Sequence, residues 1–385
     1  MEIYFDNAAS TKPTKSVAET YLKVMTENFQ NPASQSRGAM EAENIIRRSA
    51  AKIAALINAA PEEIYFTSGG TEGNNWAIFG TAKGYARSGR HIITTAVEHP
   101  AVTAPFKVLE GEGYDVTFLS VDGDGLADVE ELKRSIRHDT ILVSVIFINN
   151  EVGAVQPVEE IGDIIKGINP NIIYHVDAVQ GFGKKAVDVK KWKADLITAS
   201  GHKFHAPKGT GFLYMKNGLK VKPLMYGGEH QRGQRPGTEN AAGAAALALA
   251  AEESCKNAAE NAKNIMEIKG YIASELLKSI PGAFVNGDLE KSSPYVLNIG
   301  FEGLRAPVLI NALDEKGICV SAGSACSSRK KVQSHVLEAM GLNDDEITGS
   351  IRISFSRFSS MDEAEAFVSA VKETVPFLRR FNRKR

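Results

Sequence analysis

Six runs rich in β-branched and aromatic residues constrain this chain more than any other feature: EIYFTS, HIITTA, YDVTFLSV, TILVSVIFI, NIIYHVD and ADLITAS. Several, TILVSVIFI above all, are apolar without alternation. A strand that alternates buries one face, whereas a strand apolar at every position must be covered on both. Helices on each side of a mostly parallel sheet supply that cover, so an α/β domain is expected. The covering helices are legible as well, because residues 17–28, 42–58 and 158–168 carry apolar side chains at spacings of three and four. Beyond residues 241–253 the pattern changes. A long helix over roughly 254–279, then Pro281 and Gly282, then short strands near 295–299 and 351–355 predict a second, smaller α+β domain. Gly and Asp clusters at 122–125 and 286–288 predict surface turns.

Composition excludes several classes of function. The chain has 45 basic and 46 acidic residues, so no overall positive field holds it to nucleic acid or to an anionic membrane. Its longest apolar stretch, residues 241–251, is Ala-rich and too short to span a bilayer. The start, MEIYFDNAAS, lacks the basic and apolar regions of a signal peptide, which leads us to expect a cytoplasmic protein beginning there. Cys255, Cys319 and Cys326 are an odd number and too few for a disulfide framework. Residues 379–385 hold five basic side chains and no acidic one; such a tail either contacts RNA or an acidic protein, or complements a helix C-terminus or is simply solvated.

In an open parallel sheet, chemistry gathers at the carboxyl ends of the strands. EIYFTS runs into GGTEGNN, where Gly69, Gly70 and Thr71 form a turn able to present N–H groups and a hydroxyl to phosphate. Neither a GxGxxG fingerprint nor a Walker A sequence is present. TILVSVIFI ends in Asn149, Asn150 and Glu151, and NIIYHV ends in Asp177, three residues before Gln180. ADLITAS then delivers Ser200, Gly201, His202 and Lys203, about one strand-connection-strand unit beyond Asp177. Asp177 and Lys203 are therefore expected to face one crevice, although an Asp at such a position can also just cap a turn. A lysine partly desolvated there can form Schiff bases. Pyridoxal phosphate requires an amine, a carboxylate for its pyridine nitrogen and donors for its phosphate, and all three residue types occur here. His99 in VEHP adds an imidazole that can stack or move protons, or serve as an ordinary turn residue. Zinc ligation by His202 and His205 with His175 or Asp177 is disfavoured, because Lys203 would bring a competing positive charge. No metal is expected.

With these residues identified, the ordered set YFDNAAST, FTSGGTE, VEHPA, NNEVGAVQP, HVDAVQ, SGHKFHAPKG, GGEHQRGQRPGTEN, SAGSACSS and SIRISFSRF resembles the cysteine desulfurase family almost end to end. These are pyridoxal-phosphate enzymes of the aminotransferase class V group with fold type I. The resemblance implies a large domain, residues 15–253, with a mostly parallel seven-stranded sheet flanked by helices. Residues 1–14 and 254–385 would form the small domain carrying the catalytic cysteine loop. It implies Lys203 as the Schiff-base lysine, Asp177 on the pyridine nitrogen, and His99 stacked on the ring. Gln180 and Asn150 would contact the phenolic oxygen side or the substrate. Thr71, Ser200 and His202 would hold the phosphate with the Gly70 to Thr71 backbone, and Thr238 would reach across from the second subunit of a homodimer. Arg352 would bind the substrate carboxylate, its plainer alternative being a structural ion pair.

Cys326 would be the nucleophile that carries sulfur as a persulfide, its polar, basic surroundings suiting an exposed thiolate. Cys255 and Cys319 fit small buried hydrophobes better. The implied reaction converts L-cysteine to L-alanine and passes sulfur to acceptor proteins, iron–sulfur scaffolds or tRNA thiolation factors. Selenocysteine lyase or another class V reaction shares the pocket, and a non-catalytic scaffold would keep only the fold. Two positions depart from the family pattern: Ser36 stands where it commonly has histidine, which can alter the cofactor entrance, and Pro236 where it has serine, beside Thr238.

Overall fold

The computed structural model describes residues 2–322 and 333–382. After a short opening strand, β1 (Ile3–Tyr4), the chain lays down β2 (Ile64–Thr67), β3 (His91–Thr95), β4 (Asp115–Leu119), β5 (Thr140–Ile146), β6 (Ile173–Asp177), β7 (Leu196–Ser200) and β8 (Gly211–Met215). Strands β2 to β8 form one seven-stranded sheet in the order β2-β8-β7-β6-β5-β3-β4. From β4 to β7 all neighbours are parallel. Strand β8 runs antiparallel to both β7 and β2. The sheet is thus mostly parallel, as the unbroken apolar runs require. Every residue of β3, β5, β6 and β7 is buried, whereas the edge strand β4 is largely half-exposed.

The helices are α1 (Lys15–Glu27), α2 (Arg37–Leu56), α3 (Gly70–Tyr85), α4 (Pro100–Gly111), α5 (Val129–Ser135) and α6 (Val158–Ile168), followed by α7 (Ala241–Lys256), α8 (Ala258–Ser279), α9 (Ala306–Asp314), α10 (His335–Ala339), α11 (Asp344–Gly349) and α12 (Met361–Asn382). Helices α1, α2 and α6 fall where the three- and four-residue spacing predicts them. Ser36 caps α2 through its hydroxyl, which accepts from the Ala39 N–H at 3.1 Å. No described helix is long and apolar enough to cross a membrane.

Two larger apolar cores follow from this arrangement. One joins the large sheet to α2, α6 and α7 through residues such as Ile53, Val143, Ile161, Ile197 and Leu247. The other gathers Ile3 and Phe5 with α8, α9 and α12 around a three-stranded antiparallel sheet of β9 (Ala283–Val285), β10 (Val296–Phe301) and β12 (Ser350–Ser354). Strand β1 pairs in parallel with β11 (Ile318–Cys319), so the N-terminal residues pack with the C-terminal third.

Two expectations are corrected. The helix expected over 254–279 is broken at Asn257, whose φ of −126° and ψ of 30° lie outside the helical region; Ser254 to Lys256 belong to α7. Helix formers on both sides hide the break from periodicity. Asn286, expected in a surface turn, is buried and donates to Asn298 Oδ1 at 2.7 Å and Ser350 Oγ at 2.8 Å. In the basic tail, Arg379 donates to the Glu302 and Pro281 carbonyls at 3.0 and 2.6 Å, and residues 383–385 lie outside the described residues.

Candidate active site

Because β2, β3, β5, β6 and β7 run in the same direction, their carboxyl ends meet at one edge of the sheet. A cavity of about 510 Å³ opens there, lined by Gly70, Thr71, His99, Asn150, Asp177, Gln180, Ser200, His202, Lys203 and Arg352 among others. Its size lies within the range of cofactor sites.

Asp177 ends β6, with Ile146 of β5 on one side and Thr198 of β7 on the other. Only 2% exposed, its carboxylate accepts from Asn74 Nδ2 at 2.7 Å and from the Val179 N–H at 3.0 Å. Burial pushes its pKa up, against those hydrogen bonds and the pull of His99 and Lys203. A carboxylate so desolvated calls for a cation or a strong donor opposite it. Lys203 closes the turn after β7 and donates from Nζ to the carbonyls of Ala8 and Ala9 at 2.7 and 2.9 Å. The two residues that the sequence places in one crevice therefore line the same cavity.

His99 caps α4, and its Nδ1 accepts from the Ala101 N–H at 3.0 Å, leaving the proton of the neutral ring on Nε2. Burial lowers its pKa. Gln180 donates from Nε2 to the Ala8 carbonyl at 2.9 Å. Opposite, Gly69 adopts a φ of 149° and no side chain caps α3, which begins at Gly70. A Cβ at Gly70 would lie 2.6 Å from Val179 Cγ2, so only glycine fits that cradle without a shift. His202 has its pKa pushed down to about 4 by burial and by the neighbouring lysines 203, 208 and 184. It is a neutral donor at physiological pH.

Arg352, with its side chain 2% exposed, pairs with Asp6 Oδ1 at 2.8 Å and donates to Ser321 Oγ at 2.8 Å and the Asn150 carbonyl at 3.0 Å. The structural ion pair is present, and the same arginine still lines the cavity. Thr238 is exposed and does not line the cavity of this single chain. Cys326 lies outside the described residues. Cys255 is half-buried with its thiol pushed up to about 11 by burial, and half-buried Cys319 is raised as well. Neither is a thiolate at neutral pH. Ser36 does not line the cavity, and its role in the chain is the cap on α2.

Several residues of the site carried no assignment from sequence. Glu98, next to His99, is fully buried; Oε1 accepts from Thr95 Oγ1 at 2.7 Å and the Ile146 N–H at 2.8 Å, while Oε2 has no partner. Burial pushes its pKa up to about 8. Glu151, also buried, accepts from Ser334 Oγ at 2.5 Å, and His335 Nε2 lies 2.9 Å from the Glu98 carbonyl oxygen. Asn74 and Lys184 complete this shell. VEHP and NNEVG placed the two glutamates at strand ends, which was the only signal available.

The residue set fits pyridoxal phosphate. A desolvated carboxylate suits a pyridinium N–H, and a lysine amine shares its cavity. An uncapped helix start with Ser200, Thr71 and His202 nearby suits a phosphate. Asn74 Oδ1, buried without a partner, leaves an acceptor beside Asp177.

Comparison with known proteins gives concordant findings. The model of the aminotransferase class-V family matches residues 3–367. The chain is 41% identical over 377 residues to the cysteine desulfurase IscS of Methanosarcina thermophila, covering 98% of this chain and 93% of that protein. It is 42% identical over 374 residues to the putative cysteine desulfurase IscS 1 of Bacillus subtilis (strain 168), covering 97% and 98%. Among solved structures, a NifS-like protein superposes with a TM-score of 0.93 at 36% identity, covering 98% of this chain and 100% of that one. A NifS-like protein from Rickettsia africae gives a TM-score of 0.86 at 30% identity, covering 97% and 99%.

Proposed function

Because the chain belongs to the aminotransferase class-V family and, within it, to the cysteine desulfurases, we propose that it converts L-cysteine to L-alanine with pyridoxal 5'-phosphate held in the cavity at the sheet edge. The observation that carries this reading is the shared cavity of Asp177 and Lys203. Bound there, the cofactor supplies an electron-poor ring that takes up the electron pair released at the substrate Cα.

The chain's own residues do the rest. Asp177, kept from water by burial, holds a proton on the ring nitrogen. Lys203 Nζ would hold the cofactor and, as a free amine in the same cavity, would take the proton from the substrate Cα. His99 would pack against the cofactor ring and, with its proton on Nε2, would exchange protons with the substrate thiol. The first turn of α3, Thr71, Ser200 and His202 hold the phosphate, joined by Thr238 of a second copy in a homodimer. Arg352, fixed by Asp6, receives the substrate carboxylate through its guanidinium. The Cys326 thiolate attacks the substrate sulfur. An S–S bond forms as the C–S bond breaks, and the electron pair stays with the carbon skeleton, which is protonated and leaves as alanine. The persulfide is then passed to an acceptor protein for iron–sulfur cluster assembly or tRNA thiolation, in a cytoplasmic setting.

The test is alanine formation by the purified protein with added pyridoxal phosphate, from L-cysteine and L-selenocysteine in parallel. Lys203→Ala is expected to make none, and Cys326→Ala to bind substrate, with a change in the visible spectrum, yet release little alanine. Alanine from selenocysteine only, or a normal rate from Cys326→Ala, would overturn the reading.

A further inference from the structure

The Gln180 amide is held at both ends. Its Nε2 donates to the Ala8 carbonyl and its Oε1 accepts from Lys184 Nζ, each at 2.9 Å. The same Ala8 carbonyl accepts from Lys203 Nζ at 2.7 Å. A continuous hydrogen-bonded chain thus runs from Lys184 through Gln180 and Ala8 to the lysine of the cavity.

The chemistry of its outer end gives this chain a direction. A lysine amine donates to the oxygen of an amide, and the Ala8 carbonyl at the other end can only accept from its nitrogen. With Lys184 in place, the Gln180 amino group must point toward Ala8 and the cavity. One of its two N–H groups is used on Ala8, and the other remains for an acceptor in the cavity. A flipped amide would set its oxygen against the Ala8 carbonyl. Lys184 is otherwise poorly served: the Tyr295 ring lies 5.7 Å from Nζ, and burial, then repulsion from Lys203 and Arg352, pushes its pKa down to about 7. An amine drawn inward with so little compensation costs stability, and holding Gln180 is the use the geometry offers for it.

We infer that Lys184 is a positioning residue of the desulfuration site: it locks the Gln180 amide so that an N–H faces the anionic ring oxygen of the bound cofactor. The inference rests on the proposed pyridoxal-phosphate chemistry. It is tested by titrating with pH the visible absorption of the cofactor in the reconstituted enzyme, for wild type, Lys184→Met, Gln180→Ala, the double variant and Lys184→Arg. Losing a donor to an anionic oxygen raises the titration midpoint by about one unit. Each single variant is expected to show that rise and a lower kcat, with KM for cysteine changed less than about twofold. The double variant is expected to shift no further than Gln180→Ala, because Lys184 acts through Gln180. Lys184→Arg keeps a donor and stays near wild type.

A Lys184→Met shift that adds in full to that of Gln180→Ala, or no shift at all, overturns the assignment. Should Lys184→Met not fold, Lys184→Ala carries the same test, because the adjoining cavity of about 1440 Å³, which Lys184 also lines, admits water in place of the amine. A wild-type protein that gains no visible absorption with pyridoxal phosphate would sink the cofactor reading and the inference with it. A normal wild-type titration with additive variants would sink the role of Lys184 alone.

Discussion

Replacing Glu98 by glutamine should remove the pH dependence of stability that this residue imposes. Its carboxyl is fully buried and its pKa rises from 4.5 to about 8, chiefly through burial. A carboxylic acid with a raised folded-state pKa contributes stability that is complete below the unfolded value and is lost as pH rises toward the folded value. Between about pH 4.5 and 8 the folded chain must hold a proton that the unfolded chain has released, at a cost of about 1.4 kcal/mol per pH unit. The cost reaches about 3 kcal/mol at pH 7 and levels near about 5 kcal/mol above pH 8.

Glu98→Gln keeps the shape and the acceptor that serves Thr95 and Ile146 but carries no proton to lose. Its NH₂ takes the place of Oε2, which has no partner, adding a pH-independent penalty of about 1–3 kcal/mol. Urea unfolding of both proteins at about pH 5, 7 and 8.5 should therefore show a stability difference that moves in favour of the variant by about 1.4 kcal/mol per unit up to pH 8. A difference that stays flat with pH would refute the reasoning, as would a neutral-pH infrared spectrum lacking a protonated-carboxyl band that the variant removes. The charge state matters to the site. On the proposed chemistry, a second anion near Asp177 would compete with it for the proton of the cofactor ring.

Three further outcomes are expected. Gly70→Ala places a methyl 2.6 Å from Val179 Cγ2 and should weaken retention of pyridoxal phosphate by about tenfold in equilibrium dialysis while leaving the fold intact. Ser36→Ala removes the cap of α2 and should cost about 1 kcal/mol in denaturant unfolding with cysteine turnover unchanged. His99, whose pKa burial lowers, should titrate below a free imidazole, and its neutral form should leave Nδ1 unprotonated, as read from its ring-nitrogen NMR shifts; a protonated Nδ1 in the neutral ring would contradict the cap on Ala101.

Sequence reading reached furthest where one residue type had one physical option. The β-branched runs of β5, β6 and β7 read as interior strands, and their carboxyl ends carried Asp177, Ser200 and Lys203 into one cavity. Strand β8 was missed because GFLYM is short and opens with glycine, and its antiparallel direction has no signature in five residues. Lys184, Glu98 and Asp6 were illegible for another reason: their roles depend on partners brought from far along the chain, as with Arg352 and Asp6, 346 positions apart. Ser36 carried a second signal: beside its departure from the family pattern, its place before a helical run marked the cap that it makes on α2.

The opening residues of the chain act as a strap tying together parts that the fold otherwise keeps apart. Ile3 and Tyr4 pair with the strand that leads toward Cys326, Asp6 steadies Arg352, and the Ala8 and Ala9 carbonyls receive Lys203. A displacement of this strap by one residue would move Lys203, Arg352 and the approach to Cys326 together, so on the proposed chemistry a change at that end reaches the reacting groups as well as the packing.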